Sequence, residues 1–269
     1  MGRALELISG FVTAPSTTQT ALTMAAGSSL TIRNAPLDSM VRMLSAWADN
    51  QAAGALRIRS PKMHDNVQGI RLQVTASEVK PLFPRGVSQR LYPQDTLIVD
   101  LSGSATAGDI ESAAALIYYD NLPGTDARFA SVEDVMRRGL NIVSIENTLA
   151  LGTAGGFSGE EAINAEFDLL KANTDYALIG YLVNGECCAV RWRGADTGNL
   201  GVGGPGDELA RDLTSSWFLE LSKAFNMPLV PVFNSANKSG LLIDGVQDEN
   251  GTDVLVNSLF VEIGPSASR

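Results

Sequence analysis

The stretch Gly54–Ile70, GALRIRSPKMHDNVQGI, has an echo in Cys188–Gly204, CAVRWRGADTGNLGVGG. Each opens on a small residue and an Ala, alternates apolar residues with Arg, breaks into a polar turn, and resumes with Asn, an apolar residue and Gly. With Leu44 laid against Leu178, sixteen positions hold five identities: Leu44/Leu178, Asn50/Asn184, Ala55/Ala189, Arg57/Arg191 and Arg59/Arg193. Trp47 falls against Tyr181 in the same frame. Three further pairs follow in the same order: PLFP (Pro81–Pro84) with PLVP (Pro228–Pro231), LIVD (Leu97–Asp100) with LLID (Leu241–Asp244), and LIYY (Leu116–Tyr119) with LFVE (Leu259–Glu262). A shared order constrains a fold more than any single motif does. The 269-residue chain reads as one unit of roughly 130 residues written twice, which is domain size and far above the period of a solenoid.

Each unit reads as mainly β. SLTIRNA (Ser29–Ala35), ALRIR (Ala55–Arg59), IRLQV (Ile70–Val74), TLIVDLS (Thr96–Ser102) and AALIYY (Ala114–Tyr119) are short runs bounded by Gly, Pro, Asn or Asp. In the second unit, GLLIDG and DVLVNSLFVEI flank Asn250-Gly251, a strong hairpin signal. Thr75 with Glu78 predicts a short helix before Pro81, and Trp217, Leu221 and Phe225 predict one before Pro228, with Thr214 as cap. SVEDVMRRG predicts a third helix, capped by Ser131 and stopped by Gly139. The expected fold class is mainly β: two tandem antiparallel β-sandwich units with a few short helices. The expected organisation is an N-terminal arm over 1–27, a first unit over 28–121, a linker with a short helix over 122–139, and a second unit over 140–269.

Composition removes whole classes of function. The net charge is -10, the reverse of what phosphate gripping needs, so direct nucleic-acid binding is not expected. The N-terminus lacks the compact apolar core of a secretory signal. The two cysteines, Cys187 and Cys188, are neighbours and do not make a disulfide framework; one is expected to face the core and the other outward. His64 is the sole histidine, too few for a multi-histidine metal site, and no nucleophile elbow accompanies it.

Few motifs carry chemistry. The glycines Gly152, Gly155, Gly156 and Gly159 follow an apolar run and precede a stretch compatible with helix, as a phosphate cradle does. The spacing fits neither the dinucleotide fingerprint nor the P-loop, so a loop is the plainer reading. DENGTD (Asp248–Asp253) has the oxygen-rich composition of a calcium loop, but its glycine is out of place, and a hairpin tip is preferred. No cofactor is expected beyond that structural calcium. Arg57, Arg59, Arg191 and Arg193 lie on matching strand faces; they are either a solvated face or candidate interface residues for ion pairing.

Two β-rich units in tandem, with a helix before the same loop in each, resemble the double jelly-roll major capsid proteins of icosahedral viruses with an internal membrane, of the bacteriophage type. The resemblance rests on ALRIR/AVRWR, PLFP/PLVP and LIVD/LLID, and covers the chain from about Ser29 on. It implies jelly-roll units, a homotrimer that fills a pseudo-hexagonal site in a capsid lattice, and a location in the virion after synthesis in the host cytoplasm. It also implies contacts with vertex proteins and with an internal viral membrane. The alternatives are a carbohydrate- or receptor-binding β-sandwich protein and, third, an enzyme using the Gly-rich loop.

Overall fold

The computed structural model describes residues 2–24, 29–36, 38–76, 81, 86–152, 155–207, 211–247 and 253–265. The chain forms four antiparallel sheets, two per unit. In the first unit these are built from β1 (Gly2–Thr13), β2 (Thr20–Ala21), β3 (Thr23–Met24), β4 (Val41–Asp49), β5 (Gly54–Arg59), β6 (Ile70–Val74), β7 (Gln89–Leu91), β8 (Ile98–Ser102) and β9 (Ile110–Leu122). The linker carries β10 (Phe129–Ala130) and helix α1 (Val132–Arg138). The second unit holds β11 (Asn141–Leu149), β12 (Phe157–Ala162), β13 (Thr174–Asn184), β14 (Glu186–Arg193), β15 (Val202–Asp207), α2 (Arg211–Thr214), α3 (Trp217–Phe225), β16 (Val230–Asn234), β17 (Leu242–Val246) and β18 (Val254–Pro265).

The sheet orders are β3-β1-β9-β4-β7 with β2-β8-β5-β6, and β10-β16-β13-β18-β11 with β12-β17-β14-β15. Setting aside the short β3 and β10, eight strands remain in each unit, and the two sets run in one plan. First pairs with last, second with seventh, third with sixth, fourth with fifth. The eighth also pairs with the third and the seventh with the fourth. Even an irregularity recurs: β4 bulges between Met43 and Ser45, and β13 bulges between Leu178 and Gly180. A bulge inserts one extra residue and bends the strand, so its recurrence marks the same bend in both sheets.

The surroundings of the two units differ. In β1, β4 and β9 both faces are buried. Ala4, Ile8, Met43, Ala113, Ala115 and Ile117 face the first unit's own core, while Leu5, Leu7, Trp47, Ala114, Leu116 and Tyr118 join the core of the second unit. The Ala-rich centre of β9 suits a layer packed on two sides. In the second unit the inward residues Tyr181, Trp192, Val256 and Phe260 are fully buried, but the outward face of β11 is open.

Several expectations are corrected. The segment 1–27 is not an arm: Gly2–Thr13 is a strand, paired along β9 and burying Leu5 and Leu7. Burial on both faces, with Glu6 and Ser9 inside along with Leu5 and Leu7, erases the polar–apolar alternation that marks a half-exposed strand. The linker is not separate from the second unit, since Phe129 and Ala130 pair with β16. SLTIRNA makes only an isolated bridge, Thr31 with Thr96. β17 and β18 are not a hairpin; they belong to different sheets. The first-unit helix falls mostly on residues outside the described ones. Helix α1 forms as predicted: Ser131 Oγ accepts from the Asp134 N–H and Gly139 closes the helix. The α3 region splits, with Thr214 ending α2 and Ser216 preceding α3. Among the described residues no helix is long and apolar enough to cross a membrane.

Candidate interaction surface

The four arginines occupy the equivalent strands β5 and β14, each third in its four-stranded sheet. Each unit opposes the first of its pair to an aspartate on the neighbouring strand: Arg57 faces Asp100 and Arg191 faces Asp244. In the second unit the pair is a fork, with Arg191 Nε donating to Asp244 Oδ1 at 2.7 Å and Arg191 Nη2 to Oδ2 at 2.8 Å. The guanidinium also lies over the Phe157 ring, 3.5 Å from its centroid. This pair is almost wholly dry, with side-chain exposures of 8% and 4%. In the first unit Arg57 Nε and Nη2 share the single oxygen Asp100 Oδ2, at 2.8 and 2.7 Å, and Arg59 reaches the same atom at 3.4 Å. Arg193 pairs with Glu160 and approaches Asp244 at 3.7 Å. Bidentate carboxylate–guanidinium pairs fix geometry as well as charge. The arginines therefore tie neighbouring strands of their own sheet, and the aspartates they hold are the last residues of LIVD and LLID.

The seam between the units is where the chain joins two surfaces. Trp47 Nε1 donates to the Cys188 carbonyl at 2.7 Å, and its ring meets Trp217 edge-on at 6.1 Å. The Leu7 N–H donates to the Gly201 carbonyl at 2.7 Å. A Cβ on Gly203 would stand 2.7 Å from Leu7 Cδ2 and 2.1 Å from the Val190 carbonyl, so glycine at this point lets the layers touch. Leu200, ahead of these glycines, packs into the first unit's core. Both Cys187 and Cys188 are buried thiols outside any disulfide, against the expectation that one faces outward. The cause is that the first unit lies against β14.

The seam is made by residues whose role the sequence did not announce. Trp47 is not the equivalent of Tyr181. Around the shared bulge Trp47 opposes Ala114, while Tyr181 opposes Ser258, the counterpart of Ala115. The frame is off by one within this strand. A one-residue slip exchanges faces: Trp47 points at the other unit, whereas Tyr181 points into its own sandwich and donates to the Pro205 carbonyl at 2.8 Å. Burial pushes the Tyr181 hydroxyl well above its ordinary pKa.

Elsewhere, polar groups serve the frame. Asp175 is buried, which by itself raises its pKa, but hydrogen bonds from Arg128 and Asn234 outweigh burial and hold it below the ordinary value. Tyr119 donates to Glu6 Oε2 at 2.9 Å, while Arg33 holds Glu6 Oε1; burial foremost raises the Tyr119 pKa.

The Gly-rich segment does not open a helix. Phe157–Ala162 is strand β12, and a Cβ on Gly155 would stand 2.2 Å from the Phe11 ring, so this glycine serves close packing at the seam. A helix N-terminus is what a phosphate cradle needs, and none follows. His64 lies in an exposed turn. The candidate calcium loop falls mostly outside the described residues. Among the described residues no group of three His, Cys, Asp or Glu is placed to hold a metal.

The chain is similar to a crystal structure of the PBSX exported protein XepA, at a TM-score of 0.28 and 10% identity, over 95% of this chain and 86% of that one. At that score the likeness carries no weight for fold or function. No family model and no curated protein matches the sequence.

Proposed function

We propose that this protein is the major coat protein of an icosahedral virion, with each unit a jelly roll and each chain two-sixths of a tile. The strand plan carries the reading. A ribbon that pairs first with last, second with seventh, third with sixth and fourth with fifth, then rolls up, gives the orders 1-8-3-6 and 2-7-4-5. Both units follow those orders. Eight-stranded double-sheet jelly rolls recur in viral coats, lectins and cupins. A cupin uses several histidines, and this chain has one. A lectin-like site presents aromatic rings to sugar, but Trp47, Trp192 and Trp217 are all buried here.

Fusion of two such units supports a building role. Three chains supply six similar units, so a three-fold assembly fills a six-fold site. The acidic surface suits a tile that does not touch the genome, with vertex proteins and an internal membrane as neighbours in the virion. Electron microscopy of the purified or assembled chain tests the reading. Hexagon-shaped tiles with three-fold symmetry are expected, and a protein that stays monomeric at all concentrations would overturn it.

A further inference from the structure

The seam within the chain joins unlike surfaces. The second unit contributes the end of the β14–β15 connection and the start of β15, with Leu200, Gly201 and Gly203; the first unit receives it at Leu5 and Leu7, on the part of the β1 edge that β3 leaves unpaired. A contact between unlike faces leaves one of each unused whenever the parts are repeated. Both unused faces can be located because the strand registers match.

The unused receiving face is β11. Ile142 opposes Val261 as Leu5 opposes Tyr118, and Ser144 opposes Leu259 as Leu7 opposes Leu116. Leu5 is fully buried, whereas Ile142 is 72% exposed. Met136 and Leu140, just ahead in sequence, are 79% and 64% exposed. Beyond β11 no further strand is paired among the described residues, leaving the kind of open edge that recruits a partner. The unused contributing face is the connection between β5 and β6. Gly69 precedes β6 as Gly201 precedes β15. Two residues ahead of Gly69 stands Val67, 71% exposed, in a loop whose second-unit equivalent buries Leu200 one residue ahead of Gly201. This loop already holds its shape, since Asp65 Oδ1 accepts the N–H groups of Val67 and Gln68 at 2.9 Å. Arg71 takes the place of Gly203. On the receiving strand Glu146 shares a face with Ser144, so charge is complementary as well.

We propose that the β11 edge of the second unit, with Met136, Leu140 and Ile142, receives the 65–71 segment of the first unit of a second copy of this chain. The contact repeats between chains the seam found within one. It deepens the tile reading by naming the faces that meet, but it rests on the internal repeat.

Thiol cross-linking of the full chain tests it. Ser144→Cys and Arg71→Cys are prepared as single variants and mixed with a short bis-maleimide; the native cysteines are buried and unreactive. A cross-linked dimer in the mixture, absent from either variant alone, is expected. Ile142→Asp should raise the concentration at which the oligomer dissociates by roughly tenfold or more, as loss of an interface anchor does. Its melting temperature as a monomer should not change, because the side chain is exposed there. Cross-linking of Ser144→Cys with itself would show like faces meeting and overturn the proposal, as would an oligomer that cross-links in no arm. Shells without the 144–71 link would overturn this contact and leave the tile reading standing. Linked chains that never form a lattice would do the reverse.

Discussion

The sheets led by β1 and by β11 share strand order, pairing and a bulge, yet they live in different environments. The first is covered on both faces and carries Ala113, Ala114 and Ala115 at its centre; its counterpart, covered on one, carries Val256, Asn257 and Ser258. What the repeat keeps is the backbone path. What it lets drift is the side chains, which follow whatever lies on the outer face. The arginine–aspartate pairs show the same division: one strand register in both units, but a dry two-oxygen fork in the second and a more exposed pair sharing one oxygen in the first.

That contrast yields unequal costs at equivalent positions. The largest is expected at the seam. Trp47→Ala should cost about 3–5 kcal/mol in urea unfolding, from the cavity and an orphaned Cys188 carbonyl. Its register counterpart Leu182, half-buried on the outer face, should cost roughly 1 kcal/mol on truncation. Equal losses at the two sites would mean that the units do not share a core.

Next comes the dry ion pair. Arg191→Ala leaves the buried Asp244 with only Arg193, 3.7 Å away and without a hydrogen bond to it, and should cost about 3–5 kcal/mol. Arg57→Ala leaves Asp100 with Arg59 in reach, and with a quarter of its side chain exposed it should cost about 1 kcal/mol. A double-mutant cycle for each pair measures the gap directly, and coupling as large in the first unit as in the second would break the comparison.

Acid should probe the second unit through Asp175. Its folded pKa lies below the unfolded value, so its contribution is fully present above about pH 5, and is lost as pH falls through the folded pKa. In Asp175→Asn the fall in stability between about pH 5 and pH 2 should be shallower than in wild type, read as unfolding midpoint against pH. The smallest effect belongs to the open loop of the first unit. Val67→Ser should change monomer stability by less than about 0.5 kcal/mol, whereas Leu200→Ser, at the docked loop, should cost severalfold more.

The repeat itself is legible where apolar and charged residues alternate along a strand. ALRIR and AVRWR alternate cleanly, and LIVD and LLID end on aspartates that meet the arginines. The linker helix was legible because its caps are local, Ser131 and Gly139. Illegible features are those set by the other unit. GRALELISGFVT keeps no sustained alternation because polar Glu6 and Ser9 are buried along with Leu5 and Leu7, so by sequence alone it reads as an arm. Asn250-Gly251 lies outside the described residues, and the strands on either side, β17 and β18, belong to different sheets, which a local turn signal does not reveal. The one-residue offset in β4 against β13 was hidden because both frames place a large aromatic ring in a core. The arginines were legible as a matched set, but their partners Asp100 and Asp244 sit more than forty residues away, and only sheet pairing brings them together.

The central claim is that one rolled-ribbon unit, written twice, makes a shell tile. Cryo-electron microscopy of the full chain at concentrations that allow assembly tests it most directly. Six similar densities around a three-fold axis, each chain supplying two, is the predicted result. A particle of one chain at every concentration, or a closed dimer joined through like faces, would contradict it.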